Sequence, residues 1–355
     1  MTSRELFQNI MHYGPFDRMP VVHPGGWLET TERWRTEGMP EECDEHGFFH
    51  AEPPMGAPIS VYMDVYPHYE EKVLKETERY LFFQHGDGTV AQYVKGETGL
   101  PHRVDFLMKD RSGWANYKAR LQPHPDRIPD DLGQAIADAE SKDLPISIEA
   151  GSMVGWLRNW LGTETFCTTC REDPVLIYEV ADTVSDLVCW CLEQVLPKVQ
   201  VDIAWGWEDI CFRGGPLIPP DLFEQAVVPA YRKVSDTLRS FGCDLYGVDS
   251  DGKIGALVPL WLKGGVNVMY PMEIGAWDAD PMALRKEFGK DLRIVGGIDK
   301  FVLERDRKAI DAEIERRKPL MADGGYIACP DHLITPGTPL DNFRYYLYKM
   351  RRLRF

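Results

Sequence analysis

From residue 145 onward, short β-branched runs alternate with longer amphipathic runs, and this alternation limits the chain to few folds. The strand candidates are 145–149 (PISIE), 201–206 (VDIAWG), 244–249 (DLYGVD), 266–270 (VNVMY), 292–296 (LRIVG) and 325–329 (GYIAC). Helical patterns over 174–198, 220–241 and 302–322 lie between them. The second helix has a physical start and stop: Pro220-Asp221 opens it and Gly242 closes it. Strands separated by crossover helices pair in parallel, because only a crossover returns the chain to the same sheet end. With MPVVH (19–23) as first strand and ISVYMDV (59–65) as second, the pattern predicts a (β/α)8 TIM barrel.

The remaining N-terminal stretches, 24–58 and 66–144, are irregular and rich in Gly, Pro, His and charge. Within them RYLFFQHGDGTVAQYVKG predicts a hairpin turning at Gly86-Asp87-Gly88. Such an excursion suits the loop face of a barrel, where it would act as a lid over the active-site face. There is neither an internal repeat nor a low-complexity linker, so the expectation is one domain over 1–355.

Composition narrows the function classes. The net charge of −16, with basic residues clustered only in the C-terminal KMRRLRF, argues against nucleic-acid binding. No apolar run is long enough for a membrane span, and MTSRELFQNIMHYG lacks an apolar signal region. Eight cysteines without framework spacing fit reduced thiols in a cytoplasmic protein. Cys167-Thr-Thr-Cys170 has metal spacing but no second pair, and reads as incidental.

In parallel barrels, polar residues at strand C-terminal ends carry the chemistry. Those ends hold His23, Glu149, Glu208-Asp209, Asp249-Ser250-Asp251, Glu273, Asp299 and Asp331-His332. Asp249 and Asp251, two apart, share a face if the strand continues through them. Two adjacent carboxylates need a cation or a proton between them. Together with Glu273 and His332 they form a candidate site for zinc or another divalent first-row metal. The same residues read singly as a turn, a helix cap and a surface histidine. His23, Trp27, Trp205, Glu208 and Asp209 are candidate substrate contacts, with Trp27 and Trp205 offering aromatic walls for an aromatic or methylated ligand. Glu208 and Asp209 read equally as carboxylates that hold a loop.

The stretches VDIAWGWEDICFRGGPLIPPDLFEQAVVPAY, GVDSDG, GGVNVMYPMEIGAWD, GGIDK and GGYIACPDHLITPGTPLDNF resemble the uroporphyrinogen decarboxylase superfamily. They are most similar to its corrinoid-dependent methyltransferase branch. True decarboxylases carry paired arginines after the first strand, whereas this chain has VVHPGGWLETTERW, so the resemblance argues against an acidic tetrapyrrole substrate. Thiol-methylating members hold zinc with an HxCG motif and a later PGC cysteine. Here DSDG and PDH stand in those places, so Asp249, Asp251 and His332 would replace a histidine and two thiolates. Glu273 joins them on position alone. The resemblance implies an O-demethylase component that passes a methyl group from a methyl ether, such as a methoxylated aromatic, to Co(I). No DxHxxG-type loop is present, so the corrinoid would arrive on a partner protein. Two other readings stay open: a metal-dependent decarboxylase or lyase acting on a small acid, and a catalytically silent binding homologue.

Overall fold

The computed structural model describes residues 1–96, 101–275, 277 and 279–355. Residues 97–100 of the excursion, and Ala276 and Asp278 of the GGVNVMYPMEIGAWD motif, lie outside the described residues. In chain order the strands are β1 (Ala57–Ile59), β2 (Lys72–Glu76), β3 (Tyr80–Gln84), β4 (Thr89–Val94), β5 (His102–Phe106), β6 (Ile146–Glu149) and β7 (Ile203–Trp207). They continue as β8 (Cys211–Phe212), β9 (Gly215–Pro216), β10 (Tyr246–Asp249), β11 (Val268–Met272), β12 (Arg293–Ile298) and β13 (Tyr326–Pro330).

Seven of these form one curled parallel sheet in the order β1-β6-β7-β10-β11-β12-β13, a TIM-barrel-type layout with helices outside. All six strands expected after residue 145 are present, shifted by one or two residues. The crossovers include helices Pro174–Val195, Val228–Ser240 and Arg307–Asp323. Pro174 occupies the first turn of its helix, and Gly242 follows its helix at φ +84°.

The N-terminal strands differ from expectation. Residues 19–23 form no strand; Val22 makes an isolated parallel bridge to Glu52, and Gly26 another to Ile334. The segment thus ties the loop after β13 to the chain before β1, without a ladder of its own. The second strand lies at 57–59 rather than 59–65, pairing with 146–148. Past Ile59 the alternation survives as burial only: Val61, Met63 and Val65 are buried while Tyr62 is exposed.

Across the sheet, side chains alternate between helix layer and barrel interior. Tyr246 meets Tyr231 of the helix layer, with ring centroids 5.8 Å apart, so its neighbour Gly247 faces inward. Trp205, in register with Gly247, spans the interior and meets Tyr270 edge-on at 5.7 Å. A Cβ on Gly247 would lie 2.2 Å from the Trp205 ring, so this position requires glycine.

The excursion contains a four-stranded antiparallel sheet, β2-β3-β4-β5, and the expected hairpin joins β3 to β4. It packs beside the strand ends. Phe106 closes on Gly162, and Arg103 lies within the field of Arg158 and Asp209, just beyond β7. No helix among the described residues is long and apolar enough to cross a membrane.

Candidate metal centre at the barrel mouth

β10 ends at Asp249 and enters a turn, so Asp251 lies beyond the strand and the two aspartates do not share a strand face. The turn closes through Gly252 at φ +80°, where a Cβ would sit 2.8 Å from the Cys211 carbonyl oxygen. The Gly252 amide donates to Glu273 Oε2 at 2.7 Å, which fixes Glu273, just past β11, against the turn. His332 follows β13, and its Nε2 lies 3.4 Å from Asp251 Oδ2.

Asp251, Glu273 and His332 therefore converge, each offering one donor atom within 4.8 Å of the others. Ligands about 2.0–2.2 Å from a tetrahedral zinc ion are about 3.4 Å apart. The Asp251–His332 edge has that length, and the other two edges are no longer than 4.8 Å. Two carboxylates and an imidazole fit zinc or another first-row divalent ion better than calcium, which takes oxygen throughout.

Asp249 stands outside this cluster. Its inward carboxyl is pushed up to about 7 by burial and by Asp251, with His332 opposing. Glu149, also at an inward position at the end of β6, is likewise pushed up to about 7 by burial and by Asp64. Burial raises Glu273 as well, against the Gly252 amide that lowers it. Lys300 Nζ lies 3.7 Å from Glu273 Oε1. The mouth thus concentrates more negative charge than it can hold ionised, which favours a bound cation.

The expected substrate contacts separate into three kinds. Trp27 stacks toward His332, with centroids 6.4 Å apart and planes at 21°, and is partly exposed beside the cluster. Trp205 is only 5% exposed and fills the barrel interior, so it is packing rather than wall. His23 is fully buried among Trp34, His46, Phe49 and Phe343, with Nε2 2.6 Å from Glu45 Oε2.

Glu208 is fully buried, and its carboxylate accepts the amides of Met153, Val154 and Gly155 at the start of helix Gly155–Leu161. Burial pushes it up to about 7, whereas those amides favour the ionised form. Asp209 pairs with Arg158 Nη2 at 2.5 Å. Both carboxylates hold the loops after β6 and β7, the structural alternative that the sequence left open. Asp331 is equally occupied: it accepts the amides of Ile274, Gly275 and Lys300. Cys170 is buried in helix Thr163–Glu172 and its thiol is pushed up to about 12, which disfavours the thiolate a metal needs. Sequence reasoning missed Lys300 and Arg213; Lys300 ends the GGIDK stretch and was legible there only as a neighbour of Asp299.

The family profile for uroporphyrinogen decarboxylase (URO-D) matches residues 145–353, well over half of the chain. The protein belongs to this family. Among curated URO-D relatives, uroporphyrinogen decarboxylase of Picosynechococcus is 27% identical over 172 residues, 47% of this chain and 44% of the relative. That of Maricaulis maris is 24% identical over 134 residues, 38% of each chain. The matched stretches thus span less than half of those relatives' lengths. Among solved structures, a methyltransferase from Methanosarcina mazei superposes with a TM-score of 0.59 at 15% identity, covering 99% of this chain and 98% of that one. At that identity the likeness establishes the fold.

Proposed function

We propose that this URO-D-family barrel is a metal-dependent methyltransferase component that moves a methyl group from a methyl ether to the Co(I) of a corrinoid carried by a partner protein. The observation that carries the reading is the convergence of Asp251, Glu273 and His332 on one point at the mouth. The fold shared along the whole chain with a methyltransferase supports it.

Asp251, Glu273 and His332 would hold the metal, with Asp249 beside them. A metal held in this thiolate-free set would supply a hard Lewis acid, able to polarise an ether oxygen and make it a better leaving group. A partner-bound Co(I) would supply the electron pair for the new bond to carbon. The carbon–oxygen pair stays on the departing oxygen, which takes up a proton from the open mouth. Trp27 offers a face for the aromatic body of the substrate beside His332. Large apolar side chains stand exposed in the segments that follow residues 19–27, β1 and β7: Leu28, Tyr62 and Phe212 are 46%, 47% and 53% exposed. Exposed apolar groups near the mouth suit a contact surface, as docking of a corrinoid protein there requires.

The test combines zinc-loaded protein, a methoxylated aromatic and a reduced corrinoid protein, and follows the cobalt absorbance. Cobalt methylation matched by release of the free phenol supports the proposal. Substrate consumption without any corrinoid overturns it in favour of a decarboxylase or lyase. Metal binding without turnover on either substrate class points to a silent homologue.

A further inference from the structure

Beside the metal centre lies a cavity of about 330 Å3 lined by Arg213, Glu273, Gly275, Lys300, Phe301 and Asp331. It is bounded by the loops after β11, β12 and β13 and by the short β8–β9 hairpin that carries Arg213. Glu273 is its shared wall with the Asp251–Glu273–His332 cluster. The charges facing this space are not what the acidic composition of the chain suggests. Asp331 has both carboxylate oxygens engaged by backbone amides. Glu273 gives Oε2 to the Gly252 amide and turns Oε1 toward Lys300.

Two cations remain. The Lys300 side chain is only 13% exposed, and its sole ion-pair partner among the described residues is Glu273, at 3.7 Å. That separation is too long for a strong charge-assisted hydrogen bond. Arg213 is exposed at the rim and makes no hydrogen bond or ion pair among the described residues. Phe301 supplies an apolar face, with its ring 5.6 Å from Lys300 Nζ. A mostly buried ammonium, a guanidinium without a side-chain partner among the described residues and an aromatic ring line one cavity, a lining that suits a small aromatic anion.

We infer that this cavity is an anion subsite, in which Arg213 and Lys300 bind the carboxylate of a methoxylated aromatic acid whose ether oxygen is directed past Glu273 to the metal centre. The inference rests on the proposed function and narrows its substrate from methoxyarenes in general to those bearing one carboxylate. The overall charge of the chain does not oppose this, because repulsion from distant carboxylates is screened beyond about 8–10 Å at physiological salt, and within the cavity the two cations balance Glu273 and Asp331.

The test is calorimetric binding of 4-methoxybenzoate and its neutral isostere 4-methoxybenzamide to the zinc-loaded full chain, wild type, Arg213→Gln and Lys300→Met. Wild type should bind the benzoate at least about tenfold more tightly, the worth of a charge-assisted contact. Each substitution should abolish that preference while leaving affinity for the amide unchanged, and Arg213→Gln should also leave zinc content unchanged. Equal wild-type affinity for both probes, or a preference that survives both substitutions, overturns the subsite. A benzoate preference lost in the variants, in a protein that transfers no methyl group to a corrinoid, keeps the subsite and sinks the proposed reaction. Methyl transfer from both probes with no preference does the reverse.

Discussion

His332 Nε2 points at Asp251 Oδ2, 3.4 Å away, while its Nδ1 accepts the amide of Leu333 at 2.7 Å. With Nδ1 acting as acceptor, the proton of the neutral ring resides on Nε2 and faces the carboxylate. If Nε2 were to bind a metal, the hydrogen of the neutral ring would have to sit on Nδ1, at the expense of the Leu333 contact. The metal-free pair is therefore a proton-filled version of the metal site.

A pH dependence follows. Burial pulls the His332 imidazole down, but the hydrogen bond and charge of Asp251 outweigh it and hold the pKa above the ordinary 6.5. Metal binding must expel this proton, so zinc affinity, read by chelator competition, should be flat at high pH. It should fall by about tenfold per pH unit below the raised pKa, for one proton released. The metal-free protein has the opposite sign: a raised folded-state pKa stabilises it below pH 6.5, and this contribution is lost as pH rises through the folded value. Zinc affinity unchanged between pH 8 and pH 6 would contradict this coupling.

Glu208 makes a structural prediction. Its buried carboxylate satisfies three amides at the start of helix Gly155–Leu161. Glu208→Ala should destabilise the protein by about 2–4 kcal/mol in denaturant unfolding, since it strands buried donors. A stable variant with only a raised KM would return Glu208 to the pocket.

What the sequence revealed depended on whether the signal was local. The strands after residue 145 were legible because each is flanked by its own crossover helix. Residues 19–23 carry the same β-branched composition, but Val22 makes only an isolated bridge to Glu52, and such a bridge leaves no periodic trace. Asp251, Glu273 and His332 stood out because strand ends of a parallel barrel converge. Glu208 and Trp205 are at strand ends too, yet residue type does not tell whether a carboxylate meets backbone amides or an indole lies over Gly247. Arg213 and Lys300 escaped notice because their convergence on one cavity is purely tertiary.

The exposed apolar rim gives a prediction about the partner. A Tyr62→Ser, Phe212→Ser double variant should raise the KM for the corrinoid protein by about tenfold or more, on the scale of losing two buried apolar contacts. Zinc content and affinity for the small substrate should stay at wild-type values. An unchanged KM for the corrinoid protein would place its docking surface elsewhere.

The central claim is that Asp251, Glu273 and His332 hold a divalent metal, and metal analysis by mass spectrometry of purified wild type and His332→Ala tests it most directly. Wild type should carry one zinc, or one other first-row ion, per chain. His332→Ala should lose most of it, and loss of Asp249 should cost only about 10–100-fold in affinity if Asp249 supports the site without binding the metal. Equal, sub-stoichiometric metal in wild type and His332→Ala would contradict the metal centre and the reaction built on it.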